Sequence, residues 1–310
     1  MHQLTRPITE KVDHIVEGKT SHTQLKTPKQ QSFAVRNIQM NMTQTEVEAQ
    51  LGSPVDTLDN EYGAKWYVYH QDYRDFVLVS YIDGKVHGLF SNQNLITSKS
   101  GIKYNTPKDV VHEKLGKPLE EIRKGNTIYR QNNDEYDVFD KDNIYTTAFY
   151  DKYNNNHLTA LLQVSKEMEN RLQNQYAAPS TSLAKSYEKM DFYLVNATRV
   201  QNGLNTLKSS DSLSNTARKH SEDMAEHQYF DHTNLKGESP FDRMKNDHHQ
   251  FSAAAENLAY GQQSAIFAHQ GLMNSAGHRK NILHGNVTTL GVGVAFNTKK
   301  QPYWTENYTG

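Results

Sequence analysis

Three residues near the C-terminal end of this chain, His232, Glu256 and His278, are of types that move protons or hold metal ions. Each sits among small or apolar residues and turn formers, where a polar side chain has no obvious place in a core. They lie 24 and 22 residues apart, too far for one helix face. If they meet, the fold brings them together. Taken singly, His232 reads as a loop histidine bonded to a backbone carbonyl. His220 shares a helix stripe with Met224 and reads as a core or supporting histidine. His227 and His232 straddle a helix end and lack the i,i+4 spacing of a zincin helix. His248 and His249 read as an exposed loop pair.

Other chemistries are absent from the sequence. There is no G-x-S-x-G elbow, no H-E-x-x-H and no Walker A loop. His112-Glu113 opens like a zincin motif but lacks the second histidine. Cysteine is absent, which removes disulfides and thiol chemistry. Lys and Arg number 34 against 35 Asp and Glu, so no charge excess steers the chain to nucleic acid or an anionic membrane. No stretch approaches the ~20 apolar residues of a membrane span, and the first residues hold no signal-like apolar run. The chain as given reads as soluble; if it is exported, its targeting segment lies outside it.

The elements that must position the three residues follow from pattern. Residues 1–36 read as a polar stem or linker, with Thr20 to Ser32 rich in Thr, Gln and Lys. A repeat follows: Met42 to Leu58 matches Asn105 to Ile122 at an offset of 64, pairing Val47 with Val111, Leu51 with Leu115, Gly52 with Gly116 and Pro54 with Pro118. Each copy predicts a short helix capped by Thr43 or Thr45, and by Thr106 with Pro107 in the first turn. Gly then ends each helix and Pro forbids its continuation. Strand-like runs follow each helix, with Asp83-Gly84 a two-residue hairpin turn. Residues 37–168 thus read as a duplicated helix-plus-antiparallel-sheet domain, and 169–184 as a linker. From 185 to 310 the pattern predicts helices ending near Gly203, starting at Ser212 and at Ser239-Pro240, and over Ser264 to Met273. Two closing strands, LGVGVAFN and QPYWTENY, complete it.

The C-terminal pieces HSEDMA, YFDHT, SPFDR, ENLAYG, SAGHRKNIL, LGVGVAF and YWTENY, in this order, resemble the bacterial branch of the CAP superfamily (cysteine-rich secretory, antigen 5 and pathogenesis-related proteins). The N-terminal repeat resembles the region that accompanies some bacterial CAP domains. The resemblance implies an α+β chain: a C-terminal α/β/α sandwich around an antiparallel sheet, preceded by the duplicated domain. It places His232, Glu256 and His278 in one cleft, with Asn274 near the position of a second family glutamate; Tyr260 and Trp304, read from the residues alone, are aromatics that line a groove or fill the core. Two imidazoles and a carboxylate so gathered suit Zn²⁺ on His232 and His278, with Glu256 ligating or holding a bound water and a position left open for solvent. With Asn274 near the second acid, the four-residue His/Glu/Glu/His set is incomplete; Gly271 also stands where the family has Trp, and Ala276 where it has Pro. Three functions stay open: an extracytoplasmic protein binding an envelope or host ligand (lipid, glycan or peptide) in the cleft; a metal-assisted hydrolase with Glu256 as catalytic base; or an envelope docking module acting through the repeats.

Overall fold

A computed structural model describes residues 23–310. Most of the predicted stem therefore lies outside the described residues. Its last part is no stem: Phe33–Val35 form strand β1, buried and paired antiparallel with β6 (Ile96–Ser98). A three-residue apolar run is too short to register as periodicity, yet it is long enough to fill a gap in a core.

The N-terminal domain is built on one seven-stranded antiparallel sheet. Its strands are β2 (Asp56–Asp59), β3 (Lys65–Gln71), β4 (Arg74–Ile82), β5 (Lys85–Ser91), β9 (Tyr136–Lys141), β10 (Ile144–Asp151) and β11 (His157–Ser165), in the spatial order β2-β3-β4-β5-β11-β10-β9. The two predicted units are thus halves of one sheet, joined at β5 and β11, with strand order reversed across the join. Asp83 and Gly84 turn β4 into β5 with φ of 50° and 72°, as a two-residue hairpin requires. The repeat helices α1 (Gln44–Leu51) and α2 (Lys108–Leu115) sit in matching places. Val47 and Val111 are both fully buried in the same core, and Gly52 and Gly116 both end their helices at positive φ. After the helices, Val55 N–H donates to Val68 O and Leu119 N–H to Val138 O, each at 2.8 Å. Thr43 caps α1, but Thr106 does not cap α2: its hydroxyl accepts from the Lys103 amide instead. The halves differ in one element. In the second, β7 (Glu121–Lys124) and β8 (Thr127–Arg130) form a hairpin separate from the large sheet.

The short helix α3 (Lys166–Glu169) leads to α4 (Thr181–Gln201), which Ser180 caps. A boundary at residue 185 would therefore cut the first turns of α4. The C-terminal sheet has the order β12-β14-β15-β13, with β12 (Lys208–Ser209), β13 (Ala254–Tyr260), β14 (Thr289–Phe296) and β15 (Pro302–Thr309). All its pairings are antiparallel except β12 on β14. One face carries α5 (Asp211–His227) and α6 (Pro240–Asn246); the other carries α4, α7 (Ala265–Met273) and α8 (Ala276–Ile282). α5 starts at the Ser210 cap, two residues before the predicted one. Ser239 and Asp242 close a capping box around Pro240, as predicted for α6. α5 crosses β14 at Gly291 and Gly293, where any Cβ would collide with the backbone at Leu213 and Arg218. The LGVGV alternation therefore lets a helix lie on the sheet.

The core does not divide between the domains. One buried cluster runs from Trp66, Phe76 and Phe149 of the N-terminal sheet through Leu183 and Leu194 of α4 to Trp304 and Tyr308 of β15.

Candidate functional site

The site forms where β13 and β15 meet the loop after α5. Strand alternation points Glu256, Leu258 and Tyr260 to one face, and Asn307 sits opposite Glu256 in the register. His220, fully buried on α5, bonds the Asp231 carbonyl through Nε2 at 2.8 Å and so holds the loop that carries His232. That is the supporting role the sequence suggested.

Glu256 is the buried centre. Its side chain is 1% exposed, whereas that of His232 is 51% exposed. The carboxylate accepts from His232 Nδ1 at 2.9 Å and from Asn307 Nδ2 at 2.7 Å. Arg243 Nη2 donates to both oxygens at 3.0 Å, and to the His232 carbonyl at 2.8 Å. A buried carboxylate needs such partners, since an unpaired one costs several kcal/mol. The hydrogen bond to Glu256 holds the His232 pKa above the usual 6.5.

His278 comes from the opposite layer. Asn257 Nδ2 donates to its carbonyl at 3.1 Å, and Asn281 Nδ2 donates to Asn257 Oδ1 at 2.8 Å and to the Glu256 carbonyl at 3.3 Å. These bonds dock α8 on β13. The His278 ring bonds Ser275 Oγ through Nδ1 at 2.7 Å. Burial, then the His232 charge, lowers its pKa. The two imidazoles thus differ: one favours the cation, the other the neutral form.

Two predicted residues lie elsewhere. Asn274 does not extend the polar cluster. Its side chain accepts from Lys152 N–H at 2.9 Å and donates to the Tyr150 carbonyl at 2.8 Å, and so ties α7 to the end of β10. Arg279 strengthens that tie with a paired contact to Asp151 at 2.9 and 3.1 Å. Tyr260, four residues along β13 from Glu256 or about 13 Å, is partly exposed. Its ring packs, tilted, against those of Tyr303 and exposed Phe230, with centroids 4.5 and 5.8 Å apart. Arg243 and Asn307 were not read as site residues. Arg243 carries no local signal of its partner, and Asn307 becomes visible once the β13–β15 register is known.

Zinc with Glu256 as a ligand does not fit this arrangement. Both oxygens of Glu256 are occupied, and a guanidinium 3.0 Å away opposes a second cation. Among the described residues no group of three or more His, Asp or Glu side chains is placed to hold a metal ion. His232 and His278 offer two imidazoles, one short of the three protein ligands of a catalytic zinc.

Comparison with known proteins agrees with this architecture. The profile of the CAP-associated N-terminal family matches residues 40–175, and that of the cysteine-rich secretory protein family matches residues 192–308. The chain belongs to the CAP superfamily, with a CAP-associated N-terminal domain ahead of its CAP domain. It is 40% identical over 134 residues to YkwD of Bacillus subtilis, a match covering 43% of this chain and 50% of that protein. It is 28% identical over 283 residues to the membrane protein YlbC of B. subtilis, covering 85% of this chain and 80% of YlbC. The fold matches an extracellular SCP-domain protein of Bacillus anthracis with a TM-score of 0.75, at 23% identity over 94% of this chain and 99% of the other. A cysteine-rich secretory protein of Staphylococcus aureus follows at a TM-score of 0.69, 16% identity, and 92% and 97% coverage.

Proposed function

We propose that this chain is an extracytoplasmic binding protein whose CAP-domain site takes a ligand with an anionic head and an apolar body. One observation carries the reading: Glu256 is fully engaged by Arg243, Asn307 and His232. A carboxylate in that state is a structural anchor; it has no free acceptor for a water or substrate proton. The solvent side offers donors instead: the exposed His232 ring, biased towards the cation, with His278 behind it. Phe230, two residues before His232, and Tyr260 form an exposed aromatic pair about 13 Å along β13 from Glu256, within reach of a long apolar chain. The extracellular and membrane descriptions of the relatives support a place outside the cytoplasm, and among the described residues no helix is long and apolar enough to cross a membrane. We also read the N-terminal domain as a duplication, on the matched settings of α1 and α2.

The test pairs binding with turnover. A fluorescent long-chain fatty acid should bind, and His232→Ala should weaken it about 10–100-fold, the value of one charge-assisted hydrogen bond. Casein and p-nitrophenyl esters should not be turned over above background. Robust turnover abolished by Glu256→Gln would replace this reading with a hydrolase.

A further inference from the structure

A second candidate site lies at the seam between the domains, lined by none of His232, Arg243, Glu256 or His278. A cavity of about 330 Å³ opens between the β9–β11 face of the large sheet, the β7–β8 hairpin and the start of α7. That size falls in the roughly 300–1,000 Å³ range of small-molecule sites. It exists because the repeats differ: in the first half the strand after the helix, β2, joins the sheet, whereas in the second β7 and β8 peel away and stand over it. The hairpin is pinned at its turn end, where Lys124 Nζ meets Glu169 at 2.6 Å and the Leu172 carbonyl at 3.0 Å.

The walls are amphipathic in a particular way. Tyr62, Tyr129, Tyr136, Tyr145 and Phe267 supply rings. Phe267 of the CAP domain meets Tyr136 edge-on at 5.2 Å, so both domains build the wall. Between the rings stand amide groups of Gln131, Gln175 and Gln263. Gln131 Nε2 keeps a bond to the Tyr129 carbonyl at 3.2 Å and Gln175 is exposed, but a hydrocarbon chain would make no use of the remaining amide groups. Lys124 is neutralised by Glu169, so no phosphate-binding cluster of cations is present. Arg130 lines the cavity, is exposed, and makes no ion pair among the described residues. Rings that stack on the C–H face of a pyranose, amides that bond its hydroxyls and one free guanidinium suit an acidic sugar.

We propose that the seam cavity binds a carboxylate-bearing pyranose unit of a polysaccharide, stacked on its tyrosines with the carboxylate on Arg130. The site makes the N-terminal domain a glycan-docking element that needs the CAP domain to complete it.

Calorimetry on the full chain tests this with three probes: tetragalacturonate, neutral chitotetraose and a hydrophobic tetrapeptide with a free carboxylate. Tetragalacturonate should bind about tenfold or more tightly than chitotetraose, since a charge-assisted bond separates them. Arg130→Gln should remove that advantage, and Tyr129→Ala should weaken both sugars. Both residues lie on the hairpin outside the shared core, and Ile128→Ser at an exposed hairpin position provides a further variant that leaves the core intact. No binding of either sugar would overturn the proposal, as would sugar binding unchanged in a Tyr129→Ala/Arg130→Gln variant. Binding of the peptide alone would give the seam to a protein partner and overturn it too.

Discussion

The Glu256 cluster and the interdomain seam use buried polar groups in opposite ways. At Glu256 both carboxylate oxygens are matched and the charge is balanced by Arg243 within the same domain, although Arg243 Nε and Nη1 and Asn307 Oδ1 find no partner among the described residues. At the seam, His269 of α7 is fully buried with Nε2 bonded to Thr198 Oγ1 at 2.7 Å and no partner for Nδ1. Nearby, Glu61 is pushed up to about 8, by burial and then by the Glu169 charge. A buried charge paired with its counter-ion fixes its neighbours; a buried titratable group with no counter-charge makes stability depend on pH. The first region holds a site in shape, and the second sets the conditions under which the two domains stay together.

The largest expected effect breaks the Glu256–Arg243 pair. Arg243→Met leaves the Glu256 charge buried with its main counter-ion gone, a change that costs about 3–5 kcal/mol. Chemical denaturation should read that loss, and a loss below about 1 kcal/mol would mean that the pair behaves like a surface ion pair.

A somewhat smaller effect belongs to the seam. Burial lowers the His269 pKa from 6.5 to about 3. The unfolded chain therefore takes up this proton near pH 6.5, while the folded chain refuses it until about 3. Stability should fall as pH drops through that window, by an amount on the order of a few kcal/mol. His269→Gln should flatten this part of the acid denaturation profile. An unchanged acid limb in the variant would show that other groups carry the proton uptake.

Much of this arrangement was legible in sequence, and the rest was not, for physical reasons. Gly52 and Gly116, Ser239-Pro240 and Asp83-Gly84 carry their local geometry in their residue types, so helix ends and turns could be read directly. His232, Glu256 and His278 could be placed together only by resemblance to a family, since their partners arrive from strand register and loop closure. Arg243 and Asn307 have nothing in their neighbourhoods to mark them as partners of Glu256. Asn274 was misplaced because a polar residue at a helix end satisfies another domain's backbone as readily as it lines a cleft. The merging of the two repeat halves depends on β5 finding β11 across about 70 residues, a pairing no local pattern encodes. Residues 169–184 looked like a linker by composition, yet Leu172 and Leu183 are buried in the common core.

The central claim is that Glu256 is held by its neighbours and tunes His232 without acting as a base. Titration of the histidine ring signals by NMR tests it most directly. Folded His232 should keep its proton above pH 6.5, so its share of stability is full below that value and is lost as pH rises through the raised pKa. His278 should titrate below 6.5. In Glu256→Gln the His232 midpoint should fall, because the bond that raises it is weakened. A His232 midpoint at or below 6.5 in the native chain, or one that Glu256→Gln leaves in place, would contradict the account.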